Sequence, residues 1–105
     1  MSLESTSKTG GKRPRFLMVR RVVGKSMWPV LDPEQIVVAL RRRKYQEEDV
    51  IVLWHNGREK IKRIRLIDNG KFDVRGDNPS KSTDSRQFGL IEKGDILGKV
   101  IWPRV

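Results

Sequence analysis

A chain of 105 residues is long enough for one hydrophobic core and too short for two. Its net charge of +10, from 23 Lys and Arg against 13 Asp and Glu, makes contact with an anionic partner physically reasonable and says nothing about the fold. With no cysteine there is no disulfide framework, cysteine nucleophile or thiolate zinc site, and the single His55 excludes the usual His-rich metal clusters.

Residues 1–15 are Ser, Thr, Gly, Lys, Arg and Pro with almost nothing apolar, and they are expected to form a flexible basic tail ahead of a folded domain over 16–105. No apolar run approaches the ~20 residues that span a bilayer, and the N-terminus lacks the apolar core of a signal peptide. The location expected by default is therefore cytoplasmic.

Phe16 to Val23 is apolar and β-branched and reads as the first strand, ended by Gly24. The stretch Gly24-Lys25-Ser26-Met27-Trp28-Pro29 then presents a serine at a sharp break in the chain, where a short helical turn fits. A serine in such a place is a candidate nucleophile, and it is also an ordinary turn or cap residue. Asp32-Pro33 marks a further turn, Ile36 to Leu40 a second strand, and Arg41-Arg42-Arg43-Lys44 leads out into solvent.

Val50 to Trp54 is continuously apolar, as expected for a strand buried on both faces. Asn56-Gly57 signals a hairpin, and the partner strand from about Arg58 to Ile67 alternates. Lys60, Lys62, Ile64 and Leu66 fall on one face, and Ile61, Arg63, Arg65 and Ile67 on the other. Asn69-Gly70 signals a second hairpin into Lys71 to Arg75. Gly76 to Arg86 is a polar loop too long to be filler in so small a domain. Phe88 to Ile91 returns to the core, and Ile96 to Trp102 is the last strand. Trp28, Trp54 and Trp102 are expected in the core or on pocket walls, His55 is read as a turn residue, and Asp49 and Asp95 as turn holders. The fold class expected is mainly β with little helix, a small closed or partly open barrel-like mixed sheet.

A serine hydroxyl is a poor nucleophile until a base takes its proton. Without an obvious histidine partner, the alternative is a neutral lysine, which requires a site that disfavours the ammonium form. Lys62 has such a setting, mid-strand beside Ile64 and Leu66. Lys60 shares its face but lies nearer the hairpin, where solvent keeps it charged. The competing explanation is a basic strand with a solvated face.

Gly24-x-Ser26-Met27-x-Pro29, Lys62-Arg63-Ile64, and Gly76-Asp77-Asn78 followed by Ser82-x-Asp84-Ser85-Arg86 together resemble the ordered motifs of the signal peptidase type of Ser/Lys peptidases. The resemblance runs from about Val19 to Val105, and within that type the chain is most similar to the small soluble branch that includes the nickel-type superoxide dismutase maturation proteases. It implies Ser26 as nucleophile, Lys62 as general base, and Ser82 as the group that aims the lysine. It also implies an Asp84–Arg86 ion pair bracing the loop, and a turn at Gly76, Asp77 and Asn78 that brings the loop beneath the site. The Ser26 N–H would supply an oxyanion donor, and a substrate peptide would lie extended along Val22, Val23 and Gly24 beside Met27.

The chain departs from the pattern in three places. Gly24 stands where some signal peptidases have a second, serine oxyanion donor, Val30 follows Pro29 where Thr is common, and Pro79-Ser80-Lys81 interrupts the third motif. Only 14 positions separate Lys62 from Gly76 (76 − 62), room for one hairpin. The implied function is a serine endopeptidase that removes a leader or pro-segment from a protein or peptide precursor, with no cofactor and no metal. Two alternatives stand beside it. One is a self-cleaving repressor-type peptidase domain. The other is a small nucleic-acid-binding β-barrel, favoured by the charge but disfavoured by the scarcity of aromatic residues along any one face. Oligomeric state is not legible.

Overall fold

The computed structural model describes residues 16–105, so the tail expected over 1–15 lies outside the described residues. Seven strands form one sheet: β1 Leu17–Arg21, β2 Ile36–Leu40, β3 Val50–His55, β4 Arg58–Asp68, β5 Lys71–Arg75, β6 Ile91–Glu92 and β7 Ile96–Trp102. Their spatial order is β1-β2-β7-β3-β4-β5-β6, with β1 and β6 at the edges, so the barrel-like sheet takes its partly open form. Every pairing among the described residues is antiparallel, so the parallel component of a mixed sheet is absent there. Helix is confined to single turns, 3-10 at Pro79–Lys81 and Lys93–Asp95 and α1 at Ser85–Phe88.

Both hairpin signals are realised. Asn56-Gly57 and Asn69-Gly70 adopt positive φ at both residues, the turn whose twist matches that of the flanking strands. They close His55 on Arg58 and Asp68 on Lys71. The continuous apolar run of β3 is explained by two cores. Val50 and Val52 join Val22, Met27, Leu31, Val37, Ala39 and Val100, whereas Ile51 and Leu53 join Tyr45, Ile64, Phe72, Val74, Ile91 and Ile96. Each buried aliphatic side chain contributes about 1.5–3 kcal/mol, so this strand ties both clusters together.

Three expectations change. The face shared by Lys62, Ile64 and Leu66 breaks at a bulge between Ile64 and Leu66, where the register slips against β5. An extra residue inverts the alternation beyond it. Leu66 is consequently exposed and Ile67 packs on the core instead. The tryptophans are not core residues either: Trp28, Trp54 and Trp102 are each about half exposed (49%, 49% and 58%). Trp54 and Trp102 stand toward strand ends and Trp28 in the turn after β1. Leu90 is exposed as well, so the chain regains the core only at Ile91. Asp49 and Asp95 do hold turns, accepting from the Gln46 and Glu92 N–H groups.

Candidate active site

The chain leaves β1 into a segment fixed from both ends. Val22 is buried, its N–H donates to the Gln35 carbonyl at 2.8 Å, and its own carbonyl accepts from Glu34 N–H at 2.7 Å. Gly24 follows at φ +78°, a left-handed conformation that glycine adopts without strain. Two hydrogen-bonded turns then close the segment, through Trp28 N–H to the Lys25 carbonyl (3.1 Å) and Leu31 N–H to the Met27 carbonyl (2.9 Å). Met27 and Leu31 anchor this segment in the first core at 1% and 0% exposure, leaving Ser26 half-buried at its start.

The strand β4 supplies the base candidate. Lys62 faces Ile51 across the β3 pairing and is only 4% exposed. Its Nζ donates to Ser82 Oγ at 2.9 Å. The Ser82 hydroxyl donates its one proton to Asp84 Oδ2 at 2.6 Å. A hydroxyl whose proton is committed can only accept from a third group, so Ser82 orients an N–H of Lys62 and leaves the lone pair of a neutral amine pointing elsewhere. Among the described residues, Ser26 Oγ makes no direct hydrogen bond to Lys62, whose side-chain partner is Ser82. Burial pushes the Lys62 amine below its ordinary value, with Lys60 and Arg86 acting in the same direction and Asp84 opposing.

Asp84 is fully buried and saturated. Besides Ser82 it accepts from Gly76 N–H (2.9 Å), from Arg86 Nη2 and Nε (2.7 and 2.9 Å) and from Arg86 N–H (3.2 Å). Burial alone would raise its carboxyl, but these donors outweigh burial and hold it well below the usual carboxylate range. Asp84 also caps α1, in a capping box completed by Gln87, whose Oε1 accepts from Asp84 N–H. The Ser85 hydroxyl accepts from Val74 N–H, seaming this helix to β5.

Two contacts join the Ser26 turn to the loop. Asn78 N–H donates to the Ser26 carbonyl (2.8 Å) and Asn78 Nδ2 to the Lys25 carbonyl (3.0 Å). Gly76 is wedged between them and the base: a Cβ there would lie 2.4 Å from Ser82 Oγ and 2.6 Å from the Ser26 carbonyl oxygen. Only glycine lets the Ser26 backbone and the anchor of Lys62 approach the same point. Asp77, nearly buried, is gripped by both arms of Arg63 (3.0 and 2.9 Å) with Arg65 at 3.6 Å. The residue after Lys62 thus clamps the residue before Asn78, so one strand carries Lys62 directly and holds the Ser26 turn through its neighbours.

The structure therefore brings Ser26, Lys62, Gly76, Asp77, Asn78, Ser82, Asp84 and Arg86 into one constellation. Gly24 faces open space where a side chain would meet nothing within 4 Å. Val22 belongs to the interior, with its side chain and both backbone groups engaged, because the return of the chain at Glu34 and Gln35 uses them. Val23, 82% exposed, and Gly24 are the free part of that segment. The clamp role of Arg63 was missed from sequence, although it stands in the Lys62-Arg63-Ile64 motif on the opposite face. Among the described residues no group of three His, Cys, Asp or Glu side chains is placed to hold a metal, and no helix is long and apolar enough to cross a membrane.

Residues 2–101 match the family described as Peptidase S24-like. The chain is also similar to Signal peptidase IB of Staphylococcus aureus, from strain Mu50 and again from strain COL. Each is 51% identical over 41 residues, a segment that is 36% of this chain and 22% of the length of the signal peptidase.

Proposed function

The chain belongs to the Peptidase S24-like family, and on that premise we propose that it is a serine endopeptidase in which Ser26 is the nucleophile and Lys62 the general base. The observation that carries this reading is the state of Lys62. Its amine is buried, pushed by that burial below its ordinary value, and hydrogen-bonded to a serine that can only accept. A structural lysine gains nothing from such a site, whereas a base must be neutral to take a proton.

Ser26 Oγ attacks the scissile carbonyl carbon while its proton passes to Lys62 Nζ. The developing oxyanion is met by the Ser26 N–H, a fixed dipole that needs no reorganisation. As the C–N bond breaks, the Lys62 ammonium returns the proton to the leaving amine. The neutral lysine then activates a water, which hydrolyses the ester and restores Ser26. An extended substrate segment pairs through its backbone with the exposed edge near Val23 and Gly24 and along β1, whose other edge is occupied by β2.

The substrate class proposed is a protein precursor that loses a leader or pro-segment, with a nickel-type superoxide dismutase precursor as the first to test. Co-expression of candidate precursors with the wild type and with Ser26→Ala, followed by intact mass measurement, tests both reaction and substrate. The expected result is a truncated product with the wild type alone. Cleavage that persists in purified Ser26→Ala or Lys62→Ala removes the mechanism.

A further inference from the structure

Lys60 stands two residues before Lys62 on the same face of β4, opposite Leu53. Its Nζ lies 3.2 Å from His55 Nδ1 and 4.7 Å from the centroid of the Phe88 ring. The His55 ring stacks on Phe88, with centroids 4.0 Å apart and planes inclined by 25°. An ammonium has only protons to offer, so Nδ1 is the acceptor and the ring proton sits on Nε2. A lone pair and a π face fix the position of a cation without cancelling its charge. Among the described residues no carboxylate pairs with Lys60.

Phe88 ends α1, the helix whose N-cap is Asp84. One end of this single turn therefore serves the anchor of Lys62, and the other end pins Lys60. The groups that face Lys62 are few. The loop contributes Ser82, Asp84 and Arg86, β3 contributes the apolar Ile51, and β4 itself contributes Lys60. Asp84 favours a protonated Lys62, and Arg86 offsets only part of that pull. The remaining cation on this face is Lys60.

We propose that Lys60, clamped by His55 and Phe88, is a positioning residue for the Ser26/Lys62 reaction, its charge on the same strand face favouring passage of a proton away from Lys62. The role rests on the dyad reading above, but its test does not. Titration of Lys62 is followed by NMR of lysine labelled with carbon-13 at Cε, in the folded Ser26→Ala protein, with the Lys62 signal assigned by its loss in Lys62→Met. Like charges at this spacing, partly screened by solvent, predict an upward movement of the Lys62 titration by about half to one pH unit in Lys60→Met. That is about a three- to tenfold loss of neutral amine at any pH below the titration.

Lys60→Arg should restore the wild-type titration, whereas His55→Ala and Phe88→Leu, which release Lys60 to solvent, should give a smaller upward movement. An unmoved Lys62 titration in a Lys60→Met protein with a native-like spectrum overturns the proposal. So does an equal movement in Lys60→Arg, which would make packing rather than charge the cause. Cleavage that survives Ser26→Ala overturns the dyad instead and leaves the NMR result readable on its own.

Discussion

Lys62 and Asp84 are the two buried residues of the lysine, arginine, aspartate and glutamate types among the described residues, and the fold treats them in opposite ways. Asp84 receives hydrogen bonds from Ser82, Gly76 and Arg86, so its charge is compensated in place. Lys62 has one neutral acceptor, and burial, with two further cations nearby, pushes its amine below the ordinary value. A buried charge that is fully paired organises structure, and a buried amine left short of partners is the kind of group the proposed reaction requires. The two are joined by a single hydroxyl, Ser82, so the satisfied group supports the deprived one.

Removing the satisfied partner should have the largest effect on stability. Asp84→Ala strands the Gly76 N–H, the Ser82 proton and the Arg86 guanidinium at once, and is expected to cost about 3–5 kcal/mol in denaturant unfolding. Cleavage should fall with it, because Ser82 then regains a free proton and no longer presents only lone pairs to Lys62. A cost below about 1 kcal/mol would mean that the carboxylate is not the keystone of the loop. Next in size is Gly76→Ala. Its methyl meets the Ser26 carbonyl and Ser82 Oγ at distances real contacts do not show, so the loop must retreat from the Ser26 turn. A destabilisation of about 1–3 kcal/mol is expected, together with loss of cleavage well beyond what that cost would cause. Full activity in Gly76→Ala would separate the loop from the site.

Much of this arrangement is legible in the sequence, and the exceptions have physical causes. Asn56-Gly57 and Asn69-Gly70 define their hairpins because local backbone preference decides a two-residue turn. The apolar run at Val50 to Leu53 reads as doubly buried because no half-exposed strand can hold four such residues in a row. The bulge after Ile64 is not legible: nothing in Arg65 or Leu66 signals that one residue drops out of register, and the alternation carried past it misplaces Leu66. The tryptophans fail for a related reason, since size says how much a side chain could bury and not whether a neighbour exists to cover it. Within the site, the residues themselves single out Ser26 and Lys62 and the family resemblance adds Ser82 and Asp84, but the two-armed grip of Arg63 on Asp77 joins residues 14 positions apart (77 − 63) through tertiary packing. The stacking of His55 on Phe88 likewise joins residues 33 positions apart (88 − 55) through tertiary packing alone.

Lys62→Met offers the finest test of the contrast, because it should abolish cleavage while making the protein more stable. Methionine keeps the length and apolar stem of lysine and removes the group that burial penalises, at the loss of one hydrogen bond to Ser82. A net gain of about 1 kcal/mol at neutral pH is expected. The pH dependence separates this from a generic packing gain. The folded Lys62 amine titrates below its ordinary 10.5, so between its folded value and 10.5 the unfolded chain binds more protons and stability rises with pH. Below the folded value the penalty is fully present, and above 10.5 it is gone. The advantage of Lys62→Met should therefore be constant below the folded value and shrink between that value and 10.5. Asp84 acts at the other end: its folded carboxyl lies well below its ordinary 3.8, so its contribution is complete above that value and is lost as pH falls beneath it. Unfolding free energies from pH 3 to 11 should thus bring Lys62→Met toward the wild type at the alkaline end and Asp84→Asn toward it at the acid end. An advantage of Lys62→Met that persists unchanged at pH 11 would show that the lysine is no more deprived of its charge in the folded state than in the unfolded chain.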